Sequence, residues 1–93
     1  MTTRNVTRIL RALSAEPRLQ IVLLLRDRAL CVNALAARLG MTSSAVSQHL
    51  RVLRDADLVT PDRRGYYVHY ELNKKTLRHW KKLLADTLRV DGE

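Results

Sequence analysis

The chain has 93 residues, which is enough for one domain and too few for two independent cores. It carries 17 lysines and arginines against 9 acidic residues, a net charge of +8, so the expected partner is a polyanion, with nucleic acid ahead of an anionic membrane surface. The longest apolar run, residues 21–25, is far shorter than the roughly 18 residues of a spanning helix, and no signal-peptide core follows the N-terminus. Its one cysteine, Cys31, excludes an internal disulfide. We therefore expect a cytoplasmic protein, not bound to membranes, with one domain over residues 1–93.

Helical spacing of apolar residues predicts a first amphipathic helix over residues 3–13. Ser14 and Pro17 form a helix-start signal, and the second helix that follows contains mostly apolar residues. A short extended link at residues 29–31 precedes a third helix that ends at Gly40, a residue suited to the left-handed turn at a helix end. Thr42 or Ser43 can cap the fourth helix. Two helices joined by a tight turn over about residues 32–57 predict a helix-turn-helix, whose second helix enters the major groove of DNA.

After the fourth helix the apolar period changes from helical to extended. Residues 58–60 and 66–72 are rich in β-branched and aromatic side chains and flank a turn-prone segment, so a β-hairpin is predicted over about residues 58–72. Asn73 can cap a last helix over residues 74–89. The predicted fold class is mainly α with a β-hairpin wing, a winged helix-turn-helix in the order α-α-α-α-β-β-α.

The sequence over about residues 13–72 resembles the ArsR/SmtB family of bacterial metal- and stress-responsive repressors. Residues 12–21 look like the family's LADPTRLRIL segment, and Ser-Ala-Val-Ser-Gln-His-Leu at residues 44–50 is similar to its recognition-helix pattern almost residue for residue. Asp57 departs from the family, which usually has glycine at this helix end. Aspartate tolerates the left-handed conformation better than most residues, so we expect the turn to be kept.

The predicted DNA contacts lie on the fourth helix and at the wing. Hydroxyl groups at a helix N-terminus can donate to phosphate oxygens, and Gln48 can pair bidentately with adenine. For Ser43 and Ser44 the alternative is simple capping, for Gln48 it is a solvated side chain, for His49 it is packing behind the helix, and for the two wing arginines it is a solvated turn. The full set of candidates is Thr42, Ser43, Ser44, Ser47, Gln48, His49, Arg51, Arg63, Arg64 and Tyr66.

The resemblance raises the question of a sensor. The family's pair of cysteines at the start of the third helix is reduced here to Cys31, because Asn33 replaces the second, and one sulfur is not a metal site. The family's site on the last helix is not matched either, since His79 and Asp86 lack its spacing. We therefore predict no metal and no cofactor. Cys31 stays the sensor candidate with three interpretations: a small buried residue, a reactive thiol at a helix N-terminus, or one ligand of a site completed by the partner chain.

The first and last helices each show an apolar stripe that no later element is expected to cover, so we predict that they form a dimer interface. Its residues are Val6, Ile9, Leu10, Leu13, Leu77, Trp80, Leu84 and Leu88. The resulting hypothesis is a homodimeric repressor that binds a double-stranded operator with imperfect inverted symmetry and is released by a metal, metalloid, redox or other small-molecule signal. The alternatives are a constitutive autorepressor without an inducer and a winged helix used for protein interaction. No catalytic constellation is recognisable, so we do not expect an enzyme.

Overall fold

The computed structural model describes residues 2–92, which form five helices and three strands. The helices are α1 (Thr2–Leu13), α2 (Glu16–Leu25), α3 (Val32–Leu39), α4 (Ser43–Asp55) and α5 (Lys74–Thr87). The strands are β1 (Leu30–Cys31), β2 (Val59–Arg64) and β3 (Tyr67–Leu72). The predicted winged helix-turn-helix, with its order of helices and hairpin, is confirmed. The structure adds one strand, because the extended link pairs with β3 and gives an antiparallel sheet in the order β1-β3-β2.

The core lies where α2, α3 and α4 meet the base of the hairpin. Its largest fully buried side chains come from all of these elements, and they are Ile21, Leu35, Val46, Leu50, Leu53, Leu58 and Val59. The tight turn between α3 and α4 depends on Gly40, whose φ of 64° is in the left-handed region, and Met41 donates its N–H to the carbonyl of Ala36 at 3.1 Å. This turn fixes the angle at which α4 leaves the body of the domain.

Helices α1 and α5 pack against each other, which corrects one prediction. Val6, Ile9 and Trp80 are buried within the chain, so the expectation that no element of the same chain covers the two stripes is wrong. Helical spacing shows that a face is apolar but not which neighbour covers it. Of the remaining predicted interface residues, Leu13, Leu77 and Leu84 are half-buried against the core, and Leu10 and Leu88 are exposed.

Asp57 adopts the left-handed conformation, with a φ of 63°, so the prediction that this turn is kept is confirmed. Its N–H donates to the carbonyl of Arg54 at 2.9 Å, and the N–H of Leu58 donates to that of Leu53 at 2.9 Å, the paired bonds of a Schellman motif. Aspartate also does what glycine cannot, since its Oδ2 accepts a hydrogen bond from Thr76 Oγ1 at 3.2 Å. The side chain of Asn73 donates to the Asp57 carbonyl at 3.0 Å. The end of α4 is thereby attached to the start of α5.

Replacing Asp57 by alanine is expected to lower the free energy of unfolding by about 1–2 kcal/mol, because alanine resists the left-handed conformation and loses the bond to Thr76. Asp57→Asn is the matched control, since asparagine tolerates that conformation and keeps an acceptor oxygen. Urea unfolding at one fixed protein concentration measures both variants. Equal destabilisation by the two would show that neither property matters at this position.

Candidate DNA-binding interface

The N-terminus of α4 is organised by two hydroxyl groups that already have partners. Thr42 caps the helix by accepting from the N–H of Ala45 at 3.1 Å, so its own hydroxyl proton is free to be donated. Ser43 donates to the side-chain oxygen of Asn33 at 2.9 Å, which ties the start of α4 to α3. Ser43 therefore has no second proton for a phosphate while this bond is intact. Of the two predicted contacts, Thr42 is better placed to donate to DNA.

One face of α4 is buried and the opposite face carries polar side chains. Val46, Leu50 and Leu53 point inward and are essentially inaccessible. Ser44, Ser47, Gln48 and Arg51 are exposed and, at helical spacing, share the outer face. None of these four side chains makes a hydrogen bond or ion pair with any residue from 2 to 92. We call these four residues the reading stripe; their donors and acceptors are available to another molecule.

His49 does not belong to the reading stripe. It is half-buried on the side of α4 that faces α2, and its Nδ1 lies 3.2 Å from Nη1 of Arg18. The contact with Arg18 agrees with the interpretation in which His49 packs behind the helix, and a phosphate contact through its other ring nitrogen stays a prediction. Arg18 itself carried no functional prediction.

The hairpin of the wing is closed by a two-residue turn, Gly65 and Tyr66, which lies between the last paired residues, Arg64 and Tyr67. Gly65 has a φ of 63°, and a Cβ there would meet no other atom within 4 Å, so backbone conformation is the reason for glycine at this position. Positive φ at the first turn residue alone is the pattern of a type II′ turn, which suits the twist of a hairpin. The turn leaves Tyr66 fully exposed at the tip.

The two wing arginines differ in their surroundings. Arg64 donates to Asp62 at 2.8 Å and to Glu71 at 3.3 Å, so two carboxylates compensate its charge. The hydrogen bond to Asp62 and the charge of that group raise the pKa of Arg64 above its ordinary value, with a smaller contribution from Glu71. Arg63 is exposed and forms no ion pair with the part of the chain that the structure describes. Of the three predicted wing contacts, Arg63 and Tyr66 are thus the two whose side chains are exposed and have no charged partner in the part of the chain that the structure describes.

Cys31 lies at the junction of β1 and α3, half-buried and in the N-cap position of the helix. Its partner across the sheet is His69, whose partner on the other side is Asp62, so the three residues form one row. The Nδ1 atom of His69 is buried without a hydrogen-bond partner. Within residues 2–92 no group of three or more histidine, cysteine and acidic side chains is arranged to hold a metal ion. The row was not predicted because β1 was not.

No helix in the described range is long and apolar enough to cross a bilayer. The chain has a helix-turn-helix whose second helix has a polar outer face, and a hairpin with an exposed tip follows it in a three-stranded sheet. These features define the winged helix-turn-helix class of DNA-binding protein. The family model described as "Bacterial regulatory protein, arsR family" matches residues 15–60. The chain belongs to this family, as its similarity to individual members also shows.

Three relatives illustrate that similarity. The HTH-type transcriptional repressor SmtB of Mycobacterium tuberculosis is 44% identical over 85 residues, which cover 91% of this chain and 61% of SmtB. The transcriptional activator HlyU of Vibrio cholerae is 38% identical over 76 residues, covering 82% of this chain and 70% of HlyU. A homodimeric winged helix-turn-helix DNA-binding domain from Mycobacterium bovis superposes with a TM-score of 0.75 at 28% identity, covering 98% of this chain and 87% of that one. The chain thus spans about three fifths of the length of SmtB.

Substituting Arg63 by glutamine is expected to reduce the slope of log affinity against log salt for a random duplex by about 1 for each bound subunit, because the phosphate contact predicted for Arg63 would be lost. Arg64→Gln is the matched control and should leave the slope close to wild type, since Asp62 and Glu71 already compensate that charge. Fluorescence anisotropy at several salt concentrations measures both. An equal loss of slope for Arg64→Gln would show that its guanidinium leaves the carboxylates for a phosphate.

Proposed function

We propose that this chain is a homodimeric, sequence-specific transcriptional repressor that binds a double-stranded operator. The observation that carries the proposal is the reading stripe on α4, four exposed polar side chains without partners in the chain, opposite a fully buried apolar seam. In this class the outer face of the second helix of the motif lies in the major groove. Such a regulator works where the chromosome is, so we place it in the cytoplasm, and nothing in the proposal requires catalysis.

Reading and attraction are assigned to different residues. Gln48 offers a donor and an acceptor in one plane, the geometry that matches an adenine edge, while serine hydroxyls and Arg51 can contact either bases or phosphates. Arg63 and Tyr66 would follow the adjacent groove or backbone from the wing. Residues 42–57 contain two arginines and two aspartates and are neutral overall. The net positive charge lies elsewhere and supplies attraction that does not depend on sequence.

The dimer is proposed on a smaller surface than the sequence suggested. Leu10 is 48% exposed on α1 and Leu88, just after α5, is 65% exposed. The other predicted interface residues are buried or half-buried against the rest of the same chain. The relative from Mycobacterium bovis is homodimeric, which supports a dimer, and the exposed leucines are the reason to place its interface on α1 and α5. A twofold axis would place two copies of α4 on successive half-sites of an imperfect inverted repeat, at least about one helical turn apart.

Control of the repressor is also part of the proposal. Release by a metal, metalloid, oxidant or other small molecule is consistent with a thiol at a helix N-terminus beside an unpartnered imidazole nitrogen, and Cys31 is the candidate sensor. A constitutive autorepressor is the alternative. A gel shift on the operator with As(III), Zn(II), an oxidant or a thiol reagent separates the two, because only the inducible protein is released. Reporter expression with and without the protein establishes the sign of regulation, since the relatives include an activator.

Gln48→Ala is expected to weaken binding to the selected operator by about 1–3 kcal/mol and to leave affinity for random DNA unchanged, because a base contact is lost and phosphate contacts are kept. Gln20→Ala, an exposed glutamine of α2, is the matched control and should leave both affinities unchanged. The operator is obtained by selecting duplexes from a random library with the wild-type protein. Equal losses on operator and random DNA would contradict a role for Gln48 in reading sequence, and failure to bind any duplex would overturn the proposed function.

Leu10→Glu is expected to raise the dimer dissociation constant by about tenfold or more, because a buried leucine contact is replaced by a desolvated charge. Leu23→Glu on α2 is the matched control, with almost the same exposure at 45%, and should leave the association state unchanged. Sedimentation equilibrium over a range of concentrations measures both. A Leu10→Glu protein that stays as dimeric as wild type would place the interface elsewhere.

A further inference from the structure

Arg18, near the start of α2, joins three parts of the fold. Its Nε donates to the carbonyl of Ala12 at 2.7 Å and its Nη2 donates to that of Arg11 at 3.1 Å, both in the last turn of α1. Its Nη1 lies 3.2 Å from Nδ1 of His49 on α4. The side chain is half-buried, and the plane of the guanidinium group leaves each of the three nitrogens aimed at a different partner. Arg18 therefore holds the recognition helix to the end of α1.

In the hydrogen bond between Arg18 and His49, only Arg18 can be the donor. A guanidinium group has donors and no acceptor and stays protonated, so Nδ1 of His49 must accept the hydrogen bond and carry no proton. A neutral imidazole without a proton on Nδ1 carries it on Nε2. Arg18 thereby selects the tautomer of His49 in which the second ring nitrogen is a donor. His49 is adjacent in sequence to Gln48 of the reading stripe and is only partly buried.

We propose that Arg18 is a positioning residue for DNA binding, which fixes His49 in the tautomer that presents its Nε2–H to a phosphate of the operator backbone. The proposal rests on the proposed DNA-binding function and assigns a role to a residue outside the helix-turn-helix. Both interpretations of His49 are then compatible, since Nδ1 contacts Arg18 behind the helix and Nε2–H donates to a DNA phosphate. A neutral donor of this kind positions α4 on the backbone without reading a base and without releasing a counterion.

Two substitutions of His49 separate the functions of its two nitrogens. Glutamine places an amide group near the position of Nε2 and gives up the partner of Arg18, whereas asparagine places one near Nδ1 and gives up the outer donor. The expected dissociation constant for the selected operator is within about threefold of wild type for His49→Gln and about tenfold higher for His49→Asn. If His49 only packed against Arg18, the order would be reversed, and that result would overturn the proposal.

The salt dependence gives a second readout. The slope of log affinity against log salt should be the same for His49→Asn and wild type, because a neutral donor displaces no counterion. A slope reduced to the extent expected for Arg63→Gln would show that His49 binds DNA as a cation, which would contradict the tautomer assignment.

The tautomer itself is measured by ¹⁵N NMR of the imidazole groups at neutral pH. Of the three histidines, His49 is assigned by its absence in His49→Gln, and wild type is expected to show Nε2 protonated and Nδ1 unprotonated. Arg18→Met, which keeps the length and removes the donors, should give a mixture of tautomers and a dissociation constant about tenfold higher. Arg26→Met, at an exposed arginine just after α2, is the matched control and should change neither.

The double variant Arg18→Met, His49→Asn completes the test. If Arg18 acts through His49, the double variant binds the operator no more weakly than either single variant, because residues that act together are not additive. Additive losses would mean that Arg18 acts by another route and would overturn the proposal. Should Arg18→Met unfold, the pair of His49 variants still decides the question. A wild-type protein that binds no duplex would instead refute the proposed function, while the NMR assignment would stand by itself.

Discussion

The apolar seam along α4 is the constraint on which the rest of the structure depends. Val46, Leu50 and Leu53 are completely or almost completely buried against α2, α3 and the start of β2. Burying each of them contributes about 1.5–3 kcal/mol, and the three together are comparable to the whole stability of a small domain. The helix consequently cannot rotate without unfolding the core. Because one face of α4 is fixed toward the core, the helical geometry also fixes which residues point outward.

The charge of the protein acts at a different range from the reading stripe. The recognition segment is neutral, and the wing compensates one of its two arginines with carboxylates. The excess of lysines and arginines is found on α1, α5 and the segment from α2 to α3. In the proposed function, long-range attraction from these helices raises the rate of encounter with any duplex, and this attraction weakens as the salt concentration rises. Hydrogen-bond donors and acceptors on α4 act only at contact. A recognition segment without net charge would therefore limit how strongly the proposed repressor holds sequences that do not match.

Periodicity together with capping and turn signals was sufficient for the helices and the wing, because these depend on residues close in sequence. The left-handed turn at Asp57 was predicted from the resemblance to the family, which usually has glycine there. The parts that escaped prediction depend on residues brought together by the fold. A strand of two residues has too few positions to show alternation, and the arginine that contacts His49 is 31 residues away from it. The packing of α1 against α5 was not predicted for the same reason, because the two helices are far apart in sequence. The ion pair of Arg64 with Asp62 could have been predicted from the sequence, since residues two apart on a strand share a face.

Polar contacts attach α4 at two places to the helices that carry the proposed dimer surface. Arg18 links His49, in the middle of α4, to the last turn of α1, and Asp57, just after α4, links it to the start of α5. The seam resists rotation about the helix axis, but a tilt of α4 relative to α1 and α5 is opposed mainly by these exposed and half-buried hydrogen bonds. Each is worth about 1 kcal/mol, which is also the scale of coupling free energies between sites. In the proposed dimer, a signal that shifts α1 or α5 would therefore need little free energy to change the angle between the two recognition helices. These junctions, rather than the core, would then be the place where affinity for the proposed operator is adjusted.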